Sequence, residues 1–307
     1  MVINIPTAED FYSSGEELFN FAWDAIAKLI KNLDEARYYD VDKDEIRDEY
    51  WEGANRTLST SLTVIQQGVE FFIKGRIAEV SPYLLISDPL IKKPGLYTEA
   101  SVSVDFSKFK TIDANDLVKV HNIFSNTALS EALETKFNEM RERRNAIMHS
   151  VSKLNGLKVK EVLEYLLFMH REFFPTRTWA ERRVHYLEQS PDAILFTEEF
   201  AISATHIEIS ETIKLLSQSE VLKYFRIEKN QRAYYCPKCK SEAYSDNPLE
   251  IQLARLCSKE PNEKKLYCPI CNLQHPVDRV KCAEINESSC LGDVISSEYK
   301  ICLTCGW

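Results

Sequence analysis

Cysteine is missing from the first 235 residues: all nine cysteines of this 307-residue chain fall between Cys236 and Cys305. Glycine and proline are scarce, at 8 and 11, which excludes a turn-dense β-rich fold and favours helices. No stretch approaches the roughly 18 uninterrupted apolar residues that a membrane span requires, so no membrane partner is expected. The opening "MVINIPTAEDFYSSGEE" lacks the basic start and apolar run of a secretion signal, and the expected compartment is the cytoplasm. In a chain without such a signal, clustered cysteines point to metal binding and not to disulfides.

Net positive charge is lacking as well. The chain carries -9, and long-range attraction of nucleic acid to the whole molecule is excluded. Residues 230–307 hold 10 basic and 10 acidic side chains, so residues 1–229 carry the entire excess, 28 against 37. Against that background Arg141 to Arg183 is a local island, with 10 Lys/Arg and 5 Asp/Glu.

Helical periodicity dominates what is present. Apolar residues recur at helical spacing over Thr7–Leu33 (Phe11, Leu18, Phe19, Ala22, Trp23, Ile26) and Glu45–Val80 (Leu58, Leu62, Ile65, Val69, Phe72). Pro82 should end the second helix. Irregular, proline-punctuated sequence over about 81–112 reads as a large insertion. Helices are predicted to resume from Asp113, placed to cap the next one, then over Glu131–Ser150, Lys158–Phe174, Thr178–Gln189 and Ile194–Leu216. The fold class is therefore mainly α: a helical bundle with a large insertion, followed by a small Cys-rich domain of the zinc-ribbon type. The boundaries read as 1–190 for the helical domain, 191–229 for a helical connector and 230–307 for the Cys-rich domain.

Three C-x-x-C pairs, "YYCPKC", "LYCPIC" and "KICLTCGW", share one logic. Each turn presents two thiolates, and two turns complete a tetrahedron around zinc. One pairing joins Cys236 and Cys239 with Cys268 and Cys271, leaving Cys282, Cys290, Cys302 and Cys305 for a second ion and Cys257 free. A rival joins Cys268 and Cys271 with Cys302 and Cys305 and draws Cys257 or His275 into the other site. Either way two zinc ions would be saturated by protein ligands and structural. "HIE" at His206–Glu208 superficially resembles a zinc nucleobase deaminase signature, but Tyr235 stands where that signature has proline, and a histidine of the helical core is the better reading.

"RERRNAIMHS", Arg141 to Ser150, suits a different chemistry. RNA is cut without a metal when a base takes the 2′-hydroxyl proton, an acid protonates the leaving 5′-oxygen and a cation holds the phosphorane. Histidine suits the proton transfers, and the arginine fork suits the phosphate. Arg144 and His149 are five residues apart, about 140° around an ideal helix. They converge only if the helix ends or bends between them, the option that the following "HSVSKLNG" supports by placing His149 in the last turn, or if the site forms across an interface. The bland reading is a solvated helix end with His149 capping carbonyls.

"RNAIMH", Arg144 to His149, resembles the R-x(4–6)-H motif of the HEPN superfamily, including the polar residue after its Arg, Asn145. "QQGVEFFIKGRIAEVSPYLL", Gln66 to Leu85, is similar to that family's second helix, with Glu70 and Lys74 at the acidic and basic positions. The resemblance covers roughly Thr7 to Phe174. It implies a metal-independent endoribonuclease acting as a toxin or antiviral-defence effector. In that reading Arg144 binds the scissile phosphate, His149 is acid and base, and Asn145 orients one of them. Arg141, Arg143 and Lys153 steer RNA, with tRNA among the possible substrates. A homodimer brings two motifs together, and an antitoxin or activating protein is an implied partner. The alternative is a non-catalytic interaction or nucleic-acid-sensing protein with structural zinc.

Overall fold

The first long helix is fixed at its start by a reciprocal cap: the Thr7 hydroxyl accepts from the Asp10 amide while the Asp10 carboxylate accepts from the Thr7 amide and hydroxyl. Such a box satisfies amides that the first turn leaves without partners. Helix α1 (Ala8–Asp34) then buries Phe11, Phe19, Ala22, Trp23 and Ile26, one face of a 3.6-residue repeat. Helix α2 (Lys43–Val80) answers with Leu58, Leu62, Ile65, Val69, Phe72, Ile73 and Ile77. The two approach closely because each offers a glycine to the other's phenylalanine: Gly15 lies against Phe72 and Gly68 against Phe19. The Phe19 and Phe72 rings meet edge to face at 4.9 Å.

The computed structural model describes residues 2–36, 41–87, 103–149, 156–196, 200–243, 249–283 and 289–307, with the backbone alone for 149 and 196. The chain forms two compact units, Met1–Ile26 with Asp44–Met169, and Ala27–Lys43 with His170–Trp307.

In the first unit, Ser81 and Pro82 stop α2, and the flanks of the expected insertion come together. Ser87 N–H donates to Lys110 O at 2.9 Å and Ile112 N–H to Leu85 O at 2.9 Å. Strand β1 (Val2–Ile3) pairs in parallel with β2 (Val104–Asp105). Residues 88–102 of the insertion lie outside the described residues. Helix α3 (Ala114–Phe124) starts after Asp113, but the Asp113 side chain makes no cap bond. Its carboxylate takes Lys110 Nζ at 3.4 Å instead, which corrects the expected capping role. Helices α4 (Glu131–His149) and α5 (Val159–Phe173) bury Leu133, Phe137 and Met140 on one and Val162, Leu163, Leu166 and Met169 on the other.

The second unit joins short helices to the Cys-rich segment. Helices α6 (Trp179–Glu188), α7 (Pro191–Phe196), α8 (Phe200–Leu215) and α9 (Gln218–Phe225) precede it. The expected helix over Ile194–Leu216 overlaps the end of α7 and all of α8, and residues 197–199 between them lie outside the described residues. Arg183, fully buried on α6, makes two parallel bonds to Glu208 on α8, at 2.9 and 3.0 Å. A four-stranded antiparallel sheet follows in the order β3 (Arg255–Leu256), β4 (Lys265–Cys268), β5 (Leu273–Arg279), β6 (Val294–Ser296). The architecture is a mainly helical body with a small Cys-rich sheet region.

Candidate metal centres and candidate nuclease motif

Eight of the nine cysteines fall into two groups of four, Cys236, Cys239, Cys268 and Cys271, and Cys282, Cys290, Cys302 and Cys305. Within each, every sulfur lies within 4.8 Å of the others. None of the nine is in a disulfide, and Cys257 stands apart, exposed. The rival grouping of Cys268 and Cys271 with Cys302 and Cys305 has no counterpart in this geometry.

Local structure explains the first group. Cys236 ends an extended stretch bridged at Tyr234 to Ala254 and caps the one-and-a-half-turn helix α10 (Pro237–Glu242), which carries Cys239. Cys268 is the last residue of β4, and the turn Pro269–Asn272 returns the chain to β5 with Cys271 facing back. The Sγ–Sγ separations are 3.7 Å for Cys236–Cys271 and 3.8 Å for Cys239–Cys268. A tetrahedral ion with metal–sulfur bonds of about 2.3 Å requires edges of about 3.8 Å, so the donors fit. In the second group the edges Cys282–Cys305 and Cys290–Cys302 are 3.8 and 4.0 Å. Burial pushes the Cys305 thiol up to about 12 and raises Cys302 as well. A cation taken up there must displace protons, so uptake strengthens as pH rises.

The turn after Cys268 is anchored to the helices of its own unit. Thr178 caps α6 by accepting from Glu181 N–H, and its hydroxyl donates to Pro269 O at 2.8 Å. Asn272, at φ 55°, donates to Thr176 O at 3.2 Å and to the Glu181 carboxylate at 2.9 Å. Its oxygen accepts from Tyr267 Oη at 2.8 Å and Arg226 Nη1 at 3.2 Å. His275, 6% exposed on β5, places Nε2 3.4 Å from both Cys236 and Cys271 sulfurs. His206 belongs to neither group; its Nδ1 bonds Ile202 O at 2.8 Å inside α8, as a core histidine does.

The Arg144–His149 stretch lies in the other unit. Helix α4 continues through His149, so it neither ends nor bends between Arg144 and His149, and the two positions remain about 140° apart on it. The side chain of His149 and all of Lys153 lie outside the described residues. Among the described residues Arg144 bonds Asn145 Oδ1, at 3.4 Å, and its buried Nε has no acceptor. Arg143 is different: its guanidinium meets Glu161 at 2.6 Å and Glu139 at 3.5 Å, which absorbs the charge expected to steer RNA. Arg141 bonds Asn138 Oδ1 at 3.0 Å and lies over the Phe137 ring.

Beside this end of α4 is an open groove of about 1370 Å³, lined among others by Trp51, Arg56, Ser59, Ile147, Lys158 and Lys160. Asp48, Glu49 and Glu52 line it too, so its charges cancel on balance. Sequence reasoning passed over Trp51 and Arg56, because nothing in local spacing marks a surface of α2 that faces 100 residues ahead. No protein-family model matches the chain, nor does any curated protein or solved structure.

Proposed function

We propose that this protein is a metal-independent endoribonuclease of the HEPN kind, an effector in a toxin–antitoxin or antiviral system, with two structural zinc ions in its Cys-rich region. The observation that carries the reading is the contrast between adjacent arginines. Arg143 is neutralised by two glutamates, whereas Arg144 has no carboxylate partner among the described residues. A planar cation near the end of a helix, with no carboxylate partner among the described residues, is suited to a phosphate. Because α4 keeps Arg144 and His149 on different faces, the composite site requires two chains. Arg144 of one motif holds the scissile phosphate while imidazoles take the 2′-hydroxyl proton and return one to the 5′-oxygen. The neighbouring groove offers Trp51 for a base and Arg56 and Lys158 for the strand.

Zinc is favoured over other ions by four thiolates at tetrahedral spacing. Metal analysis of the purified protein tests this directly: two zinc per chain is expected, and iron would redirect the reading.

The deciding experiment is cleavage of total RNA, a tRNA pool and matched all-deoxy oligonucleotides. RNA alone should be cut, leaving 2′,3′-cyclic phosphate ends. Arg144→Ala should lower the rate by roughly 10²–10³-fold, and His149→Ala by about 10²–10⁴-fold. Arg143→Ala, by contrast, should act on stability. Cleavage undiminished in folded Arg144→Ala protein removes the proposal. The angular separation of Arg144 and His149 within one chain also favours a second reading, a non-catalytic scaffold; RNA binding by a folded dimer without any cut product is its signature.

A further inference from the structure

We infer that His275 guards the first metal centre, donating its Nε2–H to the sulfurs of Cys236 and Cys271 so that the ion is held against exchange and against thiol-directed reagents. The inference rests on the metal reading above and concerns a residue outside the four ligands.

The imidazole sits at a defined place. His275 is paired with Leu266 in the β4–β5 ladder, which fixes its backbone, and its side chain is almost wholly buried. Nε2 lies 3.4 Å from each of two sulfurs that are themselves 3.7 Å apart, so the ring spans one edge of the tetrahedron. The four sulfurs already form a complete group of mutually close donors, and His275 is not a member of it. A fifth donor is not needed by a tetrahedral ion. A polar nitrogen buried against two sulfurs is satisfied by donating to them.

Chemistry gives this position a purpose. Four thiolates around a divalent ion carry a surplus of two negative charges, and donors outside the ligand sphere offset that surplus. Cys271 is the one sulfur of its group that is partly exposed; Cys236, Cys239 and Cys268 are buried. His275 thus covers the ligand that solvent and reagents reach first. The second group has two partly exposed sulfurs, Cys290 and Cys305, and serves as an internal comparison.

The test uses the full-length, zinc-loaded protein. Transfer of zinc to a chromophoric chelator is followed for wild type, His275→Gln, which keeps an N–H donor, and His275→Leu, which does not. One of the two ions should leave about tenfold faster or more from His275→Leu, with the Gln variant near wild type and the other ion unaffected. Release of both ions from His275→Leu at wild-type rates overturns the inference. Cadmium-113 resonances of the substituted wild type need no variant: two in the four-thiolate range are expected, and one shifted to the range of three thiolates and a nitrogen would make His275 a ligand and overturn its role as donor. Wild-type protein that neither carries nor accepts zinc refutes the metal reading itself, and metal analysis reports that separately.

Discussion

His170 is a buried imidazole whose Nε2 has no partner among the described residues. It packs against Trp179 and Phe174, and burial, aided by the Arg182 charge, pushes its pKa down to about 3. The unfolded chain binds a proton there below about pH 6.5 while the fold refuses one, so this contribution is complete above that value and is lost as pH falls toward 3. Between pH 7 and 5 the loss amounts to about 2 kcal/mol. His170→Leu should flatten that part of the stability profile in denaturant titrations at the two pH values; an identical profile excludes the assignment. Arg183 is the other costly residue. Arg183→Met removes a fully buried guanidinium from half-buried Glu208 and should destabilise by about 2–4 kcal/mol, whereas Arg183→Met with Glu208→Leu should cost less. Chemical denaturation of both variants checks the difference. Roles at this scale were only half legible in the sequence. Arg144, Asn145 and the eight clustered cysteines stand out by spacing. What separates Arg143 from Arg144 is Glu161, eighteen residues onward and on another helix, which no local pattern announces.

Helices α1 and α2 show how an element-scale feature depends on absence of a side chain. A β-carbon added at Gly68 would lie 2.7 Å from the Phe19 ring and 3.0 Å from Gly15 O. Gly68→Ala should therefore destabilise by about 1–3 kcal/mol through overpacking. Gly53, in the same helix with nothing within 4 Å, should gain roughly 0.5–1 kcal/mol on the same change. Opposite shifts in melting temperature for the two variants are the expected result. Both helices were readable because long stripes of apolar residues declare a face. The short ones were harder. Helix α9 has too few residues to show a period, although its Ser217–Glu220 capping box was a legible start signal. Helix α7 gave no amphipathic stripe to read, because its apolar Ile194 and Leu195 are in fact exposed.

At the scale of the whole chain, the Cys-rich segment shares its compact unit with residues 170–229, whereas composition alone suggested a boundary at 230. Composition changes where cysteine begins; packing is set by Thr178, Asn272 and Arg226, whose bonds reach across that point. Removing metal should consequently reach helices that carry no ligand. With a strong chelator at neutral pH, hydrogen exchange is expected to rise in α6 and in the Pro269–Asn272 turn together, while α1–α2 amides at positions 15–26 and 58–77 stay protected. Protection of α6 unchanged in metal-free protein would separate the two.

The anchoring of Asn272 bears on what recombination can do with this chain. Four hydrogen bonds and a left-handed backbone fit asparagine: aspartate keeps the acceptors and loses the donors, while glycine keeps the backbone and loses both. A Cys-rich segment cut at 230 and spliced to a foreign helical body would arrive with its knuckle intact and its Asn272 facing nothing it recognises. Thr176, Thr178 and Glu181 would have to travel with it. The cysteine-bearing turns are thus a dependent part and not an exchangeable cassette, and a piece that keeps their anchors begins no later than Thr176.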